Sequence, residues 1–413
     1  MKFSWAKLLN VSAIIIALLL LASCANSAKS DSSEKPTNVP LESAEPAAPD
    51  SPAPESNFPL VSDIGSWQVR HISPRIYGED WMVINDNLWY FNDKGIYYLD
   101  LKTGQETNIS GPNVYNTMFY VDCYLWFAYN YLGPHNYEGI SEDQISLARV
   151  DLASKQYYEY PTDIFTGVKV TVLKSLGKVI VCAGSKVYQY DKADDQFIEM
   201  PEYGDDVLRV AGNEKIFAMY TGDSLKLYYA NGELKEYNPT DCLPDTYVTN
   251  MNIFGDELFT YWGGEGEPAG VSCINTQTGV WTHFIDPMSK SDFSTPHEYI
   301  LIAGSGGNIL PRGEETVYIP IIYTATSPKS LLEFSFSKRE LECVYTAEEF
   351  IWDAIPFQNG DIIRQSNEIV FCDLDNGTEN IIENMEIIKV IKKSQDTVLA
   401  ITDQGVFECK FTR

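Results

Sequence analysis

From Asp256 to Phe284 the chain reads DELFTYWGGEGEPAGVSCINTQTGVWTHF. Leu258, Thr260 and Trp262 fall on one side of an alternating run, Phe259 and Tyr261 on the other, which is the period of a strand. Gly263-Gly264 break the run, and a second one, Val271 to Ile274, follows it. NTQTG then supplies a hairpin turn. The Asn275 side chain can bond its own backbone, and Gly279 can take positive φ at no steric cost. Trp281, six positions after Asn275, opens the next strand.

The same spacing, a turn residue followed six positions later by an aromatic or apolar one, fits Asp151 with Tyr157, Asp191 with Phe197, Asn231 with Tyr237 and Ser335 with Leu341. DLKTGQE at Asp100 and DLDNGTE at Asp373 keep the turn without the ring. The anchors stand 51, 40, 40, 44, 60 and 38 residues apart. A period of roughly 40 to 50 residues with four strand signals per unit predicts an all-β fold, a β-propeller of four-stranded blades. Ile96, Ile145, Val187, Leu225, Val271, Leu331, Ile369 and Val406 mark the third strands. That gives eight blades, with seven as the alternative. The last unit, VFECKF, lacks an outer strand, and SWQVRHIS at Ser66 to Ser73 is a free strand that could supply it and close the ring.

With Gly263, Gly264 and Trp281 in one unit and VYQYDKADDQFIEMP in another, the chain from about Trp67 to Phe411 resembles the kelch family. The D-x-x-T-G turns are also similar to those of quinoprotein-type propellers. Some kelch-type propellers act on sugars as oxidases or epimerases, but their copper or acid-base residues find no match here.

Ahead of the repeats, Lys2 and Lys7 precede an apolar run from Leu8 to Leu21 that ends in LASC. This resembles the lipobox of bacterial lipoproteins. The resemblance implies a signal peptide over residues 1–23 and a diacylglyceryl thioether on Cys24, so that the protein would be lipid-anchored on the extracytoplasmic face of the cell membrane. Residues 24–60 hold seven prolines among Ser, Ala and Glu and read as a disordered tether. Residues 61–413 form the propeller domain.

Composition changes this picture in two ways. Without the two signal-segment lysines the charge is 28 − 58 = −30, which argues against nucleic acid as a partner. Besides Cys24 there are seven cysteines, an odd number with none close in sequence. They read as buried apolar fillers rather than a disulfide set. A monomer is expected.

The loops between second and third strands and those between blades leave a propeller on one face, and the sequence lengthens them selectively. Asn130 to Gln144, Gly263 to Gly270 and Tyr323 to Ser330 are long second-to-third loops, and Asn238 to Thr246 and Asp286 to Glu298 are long interblade connections. That face is the expected binding face. On it Tyr131, His135, Tyr137 and Trp262 offer rings, and Glu138, Glu265, Glu267 and Asp286 offer acceptors. Together they suit a glycan, a peptide or an envelope protein. No cofactor, metal site or catalytic set is found. GEGEPA lacks the following helix that a pyrophosphate needs, the four histidines show no metal spacing, and the acid pairs, Asp194-Asp195 among them, read as solvated turns.

Overall fold

The computed structural model describes residues 60–112, 115–129, 144–204, 206–238, 248–262, 270–283, 299–300, 310–313, 315–323, 329–347, 351–357, 360–373 and 377–412. These residues form eight antiparallel sheets arranged as the blades of a β-propeller. Each blade runs in sequence from an inner to an outer strand. Blade 1 consists of Asp80–Ile84, Asn87–Asn92, Gly95–Asp100 and Glu106–Asn108, and blade 2 of Thr117–Val121, Tyr124–Ala128, Leu147–Asp151 and Tyr157–Glu159. Blade 3 is Val170–Ser175, Lys178–Ala183, Lys186–Asp191 and Gln196–Glu199, and blade 4 is Arg209–Gly212, Ile216–Tyr220, Leu225–Tyr229 and Leu234–Tyr237. Blade 5 is Val248–Phe254, Glu257–Trp262, Gly270–Asn275 and Trp281–His283. In blade 6 the short strands Tyr299–Ile300 and Leu310–Pro311 both pair with Thr316–Tyr323, which is followed by Lys329–Ser335 and Glu340–Ala347. Blade 7 is Asp353–Phe357, Gly360–Arg364, Glu368–Asp373 and Gly377–Glu383.

Blade 8 takes Ile387–Lys392, Thr397–Thr402 and Gly405–Phe411 from the end of the chain and Trp67–Ser73 from its beginning. Trp67 pairs with Phe411 and Val69 with Cys409, as the missing outer strand required. Leu60–Ile64 adds a fifth strand outside it. The Trp67 ring is fully buried against Phe357, Phe371 and Phe411, with centroids 5.1 to 5.4 Å away. Closure therefore rests on a core contact as well as on backbone pairing, and it removes two open sheet edges.

The core is a set of wedges, each shared by two neighbouring blades. Trp89 and Phe91 of blade 1 pack on Leu125 and Phe127 of blade 2, and Leu225 and Leu227 of blade 4 pack on Met251 and Leu258 of blade 5. Period-2 strands explain this arrangement, because each inner strand sends alternate side chains toward the blade before and the blade after. Between blades 6 and 7 the wedge includes a polar lock: the Tyr318 hydroxyl donates to Asp361 Oδ2 at 2.6 Å, and Arg312 lies 2.7 Å from Glu333 and 3.4 Å from Asp361. Burial raises the Asp361 carboxyl above the usual range.

The third-to-outer turns show why the six-residue spacing recurs. Asp100, Asp151 and Asn275 each accept two backbone N–H bonds, from the second and third residues after them, at 2.8 to 3.2 Å. Those N–H bonds to its side chain, with Ser154 the strongest influence, hold the Asp151 carboxyl below its ordinary range. Four positions after the anchor the backbone enters the left-handed region, at Gly104 (φ 71), Gly279 (φ 74) and Gly377 (φ 88). Two expectations need correction. In blade 4 the turn is one residue shorter: Tyr229 N–H bonds the Glu233 carbonyl, so Asn231 sits inside the turn instead of opening it. In blade 2 Ile145 forms only an isolated bridge, and the third strand starts at Leu147.

Candidate functional site

In blades 2, 3 and 6 the left-handed turn position holds a charged residue instead of glycine: Lys155 (φ 60), Asp195 (φ 49) and Arg339 (φ 58). That backbone costs an L-residue on the order of 1 kcal/mol. In all three the side chain reaches back to the preceding blade. Lys155 Nζ stands 4.7 Å from the centre of the buried Trp89 ring. Asp195 Oδ2 pairs with Arg149 at 3.0 Å while its Oδ1 accepts the hydroxyls of Tyr160 (2.8 Å) and Tyr190 (2.9 Å). Arg149 is buried, its guanidinium 4.4 Å from the Tyr124 ring and 5.0 Å from Tyr158. Arg339 donates to Glu257 Oε2 at 2.5 Å, to Thr282 at 2.9 Å and to the Cys273 carbonyl at 3.2 Å. Glu257 is only 3% exposed and also receives Asn275 at 2.7 Å. Asp194-Asp195 is thus not a solvated turn pair. Asp195 latches two blades, and these turns serve assembly of the ring.

A cleft of about 570 Å³ opens between blades 6 and 7 at the opposite ends of the strands. Tyr345, Thr346 and Ala347, where the outer strand of blade 6 runs out toward blade 7, form one wall. The second-to-third turn of blade 7 contributes Gln365, Asn367 and Glu368, and the end of its outer strand contributes Asn380, Glu383 and Asn384. Blade-to-blade connections and second-to-third turns leave a propeller on one face, so the cleft lies on the face expected to bind. Gln365 is 4% exposed, and its side-chain amide points to the Tyr345 hydroxyl at 3.4 Å. Burial, and after it the neighbouring Cys372 and Glu368, raise the Tyr345 hydroxyl above its ordinary value. Beside the cleft, the partly exposed Trp352 donates through Nε1 to Ser366 Oγ at 3.3 Å.

Glu368 and Glu383 are direct cross-strand partners and share a face of the sheet. The described lining contains no lysine, arginine or histidine. Arg364, the nearest in sequence, pairs with Asp353 at 2.8 Å and donates to the Ile387 carbonyl at 3.2 Å. Amides, a hydroxyl, a phenol and two carboxylates can together bind hydroxyls or a cation, and they disfavour an anion.

Of the residues expected from sequence, Tyr131, His135, Tyr137, Glu138, Glu265, Glu267 and Asp286 lie outside the described residues, as does Cys24. Trp262 ends the second strand of blade 5, its backbone paired with Val248 and Gly270, and its side chain lies outside the description. None of the cleft residues was singled out from sequence. Their turn, RQSNE, is short, so loop length gave no signal. His283 bonds Ser272 Oγ through Nδ1 at 2.7 Å, and among the described residues no group of His, Cys, Asp and Glu is placed to hold a metal ion.

The cysteines divide. Cys182, Cys273 and Cys409 are buried, as fillers should be, and burial pushes the Cys182 thiol up to about 12. Cys123 and Cys343 are exposed instead, Cys123 because it sits in the turn between the first two strands of blade 2 rather than within a strand. No two described cysteines are joined.

No family model matches the chain, and no curated protein matches it. Solved structures do. Dipeptidyl peptidase 4 of Porphyromonas gingivalis is similar at 8% identity and a TM-score of 0.50, over 80% of this chain and 56% of the peptidase. The Pan2 WD40 domain of Neurospora crassa is similar at 9% identity and a TM-score of 0.44, over 86% of this chain and 98% of that domain. A eukaryotic initiation factor gives 12% identity and a TM-score of 0.45, over 84% of both chains. At such identities the likeness is one of fold, and the fold is an eight-bladed β-propeller.

Proposed function

We propose that this protein is a lipid-anchored extracytoplasmic binding module. In this reading Cys24 carries the anchor, the proline-rich segment up to Leu60 is the tether, and the kelch-like propeller offers its loop face to a glycan, a peptide or an envelope protein. The observation that carries the reading is the polar cleft between blades 6 and 7, a concave site with converging amides and carboxylates on that face. The longer loops bearing Tyr131, His135, Tyr137, Glu138, Glu265, Glu267 and Asp286, with Trp262 at the base of one, would extend the same surface.

Two measurements test it. The full chain should partition with membranes, and Cys24→Ser should move it to the soluble fraction. In detergent, the full chain should melt at a higher temperature with one class among envelope glycans, muropeptides and basic peptides, because a ligand that binds only the folded state must stabilise it. Asn367→Ala with Asn384→Ala should abolish that shift. A shift with quinone cofactor or divalent metal alone would contradict the proposal.

A further inference from the structure

The second-to-third turn of blade 7, which forms one wall of the cleft, is braced from both neighbouring connections. Just before the blade, Trp352 donates its backbone N–H to the Arg364 carbonyl at 2.9 Å and its ring Nε1 to Ser366 Oγ at 3.3 Å. Just after it, the Met385 N–H reaches the Asn367 carbonyl at 3.4 Å, and the Ile387 N–H reaches the Ser366 carbonyl at 3.0 Å. Main-chain bonds thus hold the segments bearing Asn367 and Asn384 side by side, with Asn384 in the left-handed region (φ 59) that asparagine tolerates. A wall fixed in this way loses little freedom when a ligand arrives.

Amides dominate that wall. Asn367, Asn380 and Asn384 line the cleft with Thr346, and the buried Gln365 lies among them with its amide on the Tyr345 hydroxyl. An asparagine side chain offers two donor hydrogens and an acceptor oxygen, and a sugar hydroxyl is itself donor and acceptor, so the two match without charge. Asn380 donates to Glu383 Oε1 at 2.6 Å, which ties that carboxylate to the protein and leaves the amide oxygen as an acceptor. A uronate or a phosphorylated sugar fits poorly, because the described lining brings it carboxylates and no lysine, arginine or histidine. An extended peptide read through its main chain needs a length of free strand edge, whereas the cleft meets the outer strands of blades 6 and 7 toward their ends. Tyr345 supplies a ring in the lining, and Trp352, 39% exposed, supplies a second beside it. Aromatic faces of this kind take the carbon-bound surface of a ligand while its polar groups bond elsewhere.

We infer that the cleft between blades 6 and 7 binds an uncharged oligosaccharide, with hydroxyls on the amides of Asn367, Asn380 and Asn384 and a sugar ring against Tyr345. The inference rests on the proposed role as a binding module and narrows its ligand to one class. Recognition then uses neutral hydrogen bonds, so affinity should hardly respond to salt.

The test is calorimetric titration of the full chain in detergent with five probes of equal length. Tetramers of glucose and of N-acetylglucosamine are uncharged, a glucosamine tetramer is cationic, a galacturonate tetramer is anionic, and an acetylated, amidated alanine tetramer stands for a neutral peptide. At least one uncharged sugar should bind at least tenfold more tightly than either charged sugar and the peptide, changing less than twofold between about 0.05 and 0.5 M salt. Asn367→Ala with Asn384→Gly should cut that affinity at least tenfold. Glycine keeps the left-handed backbone, so the melting temperature should stay within about 2 °C of the parent. Thr346→Val, close in shape and lacking the hydroxyl, should cut the affinity at least threefold. Full affinity in both folded variants would place the sugar elsewhere and overturn the inference. Tightest binding of a charged tetramer would overturn the uncharged class, and tightest binding of the alanine tetramer would overturn the sugar; either result would keep the binding module. No binding of any probe would overturn the inference outright, while the module itself is judged by the wider ligand screen.

Discussion

One strand, Glu340–Ala347 of blade 6, connects two regions built for different purposes. It starts beside Arg339, whose guanidinium is spent on the buried Glu257 of blade 5 and three further acceptors. It ends at Tyr345 to Ala347, in a cleft where Glu368 faces Glu383 and the described lining has no cation. At the turn end, a residue accepts a strained backbone to complete a pair between blades. At the loop end, amides, hydroxyls and carboxylates line a concave surface. The contrast teaches that on this propeller buried ion pairs join blade to blade, while the loop face carries a concave, polar surface of the kind a ligand could use.

The largest effect should come from breaking the turn end. Arg339→Ala strands Glu257 in the wedge between blades 5 and 6, and losing one partner of a buried pair costs about 3–5 kcal/mol. Chemical denaturation should show that loss, with Arg339→Lys recovering part of it. Asp195→Ala should cost less, about 2 kcal/mol, because Asp195 is 44% exposed although Arg149 is buried. At the cleft end, where Glu383 is exposed, Glu383→Gln should change stability by less than about 0.5 kcal/mol. Lys155→Gly should change stability by less than about 0.5 kcal/mol, since relief of the left-handed backbone offsets the lost cation–π contact. The smallest effect concerns pH. The Asp151 carboxyl is depressed in the folded chain, so it stabilises above its unfolded value of about 3.9 and that contribution fades as pH falls below it. Asp151→Asn should lower the melting temperature slightly near neutrality, and the difference from the parent should vanish as pH falls through that window.

Much of the architecture was legible because it repeats. The anchors at Asp100, Asp151 and Asn275 are physical devices, side chains that bond their own turn, and so they recur at fixed offsets. The outer strand Trp67–Ser73 was legible from a deficit, the last unit being short by one strand. Asn231 misled because a turn shortened by one residue still places Tyr237 six positions later. Cys123 misled because an apolar neighbourhood in sequence hid a tight turn. The latch residues carried a signal that was available: a charged residue at the position where sister turns have glycine, as with Arg339 against Gly279. The cleft carried none of comparable strength. Its two glutamates are 15 positions apart and meet only through strand register, and its turn has minimal length.

Hydrogen–deuterium exchange of the full chain, with and without the ligand that raises its melting temperature, locates that ligand on the ring without assuming where it binds. Added protection is expected in peptides covering 345–347, 365–368 and 380–384. Protection centred on the turns at Lys155, Asp195 and Arg339 would contradict it.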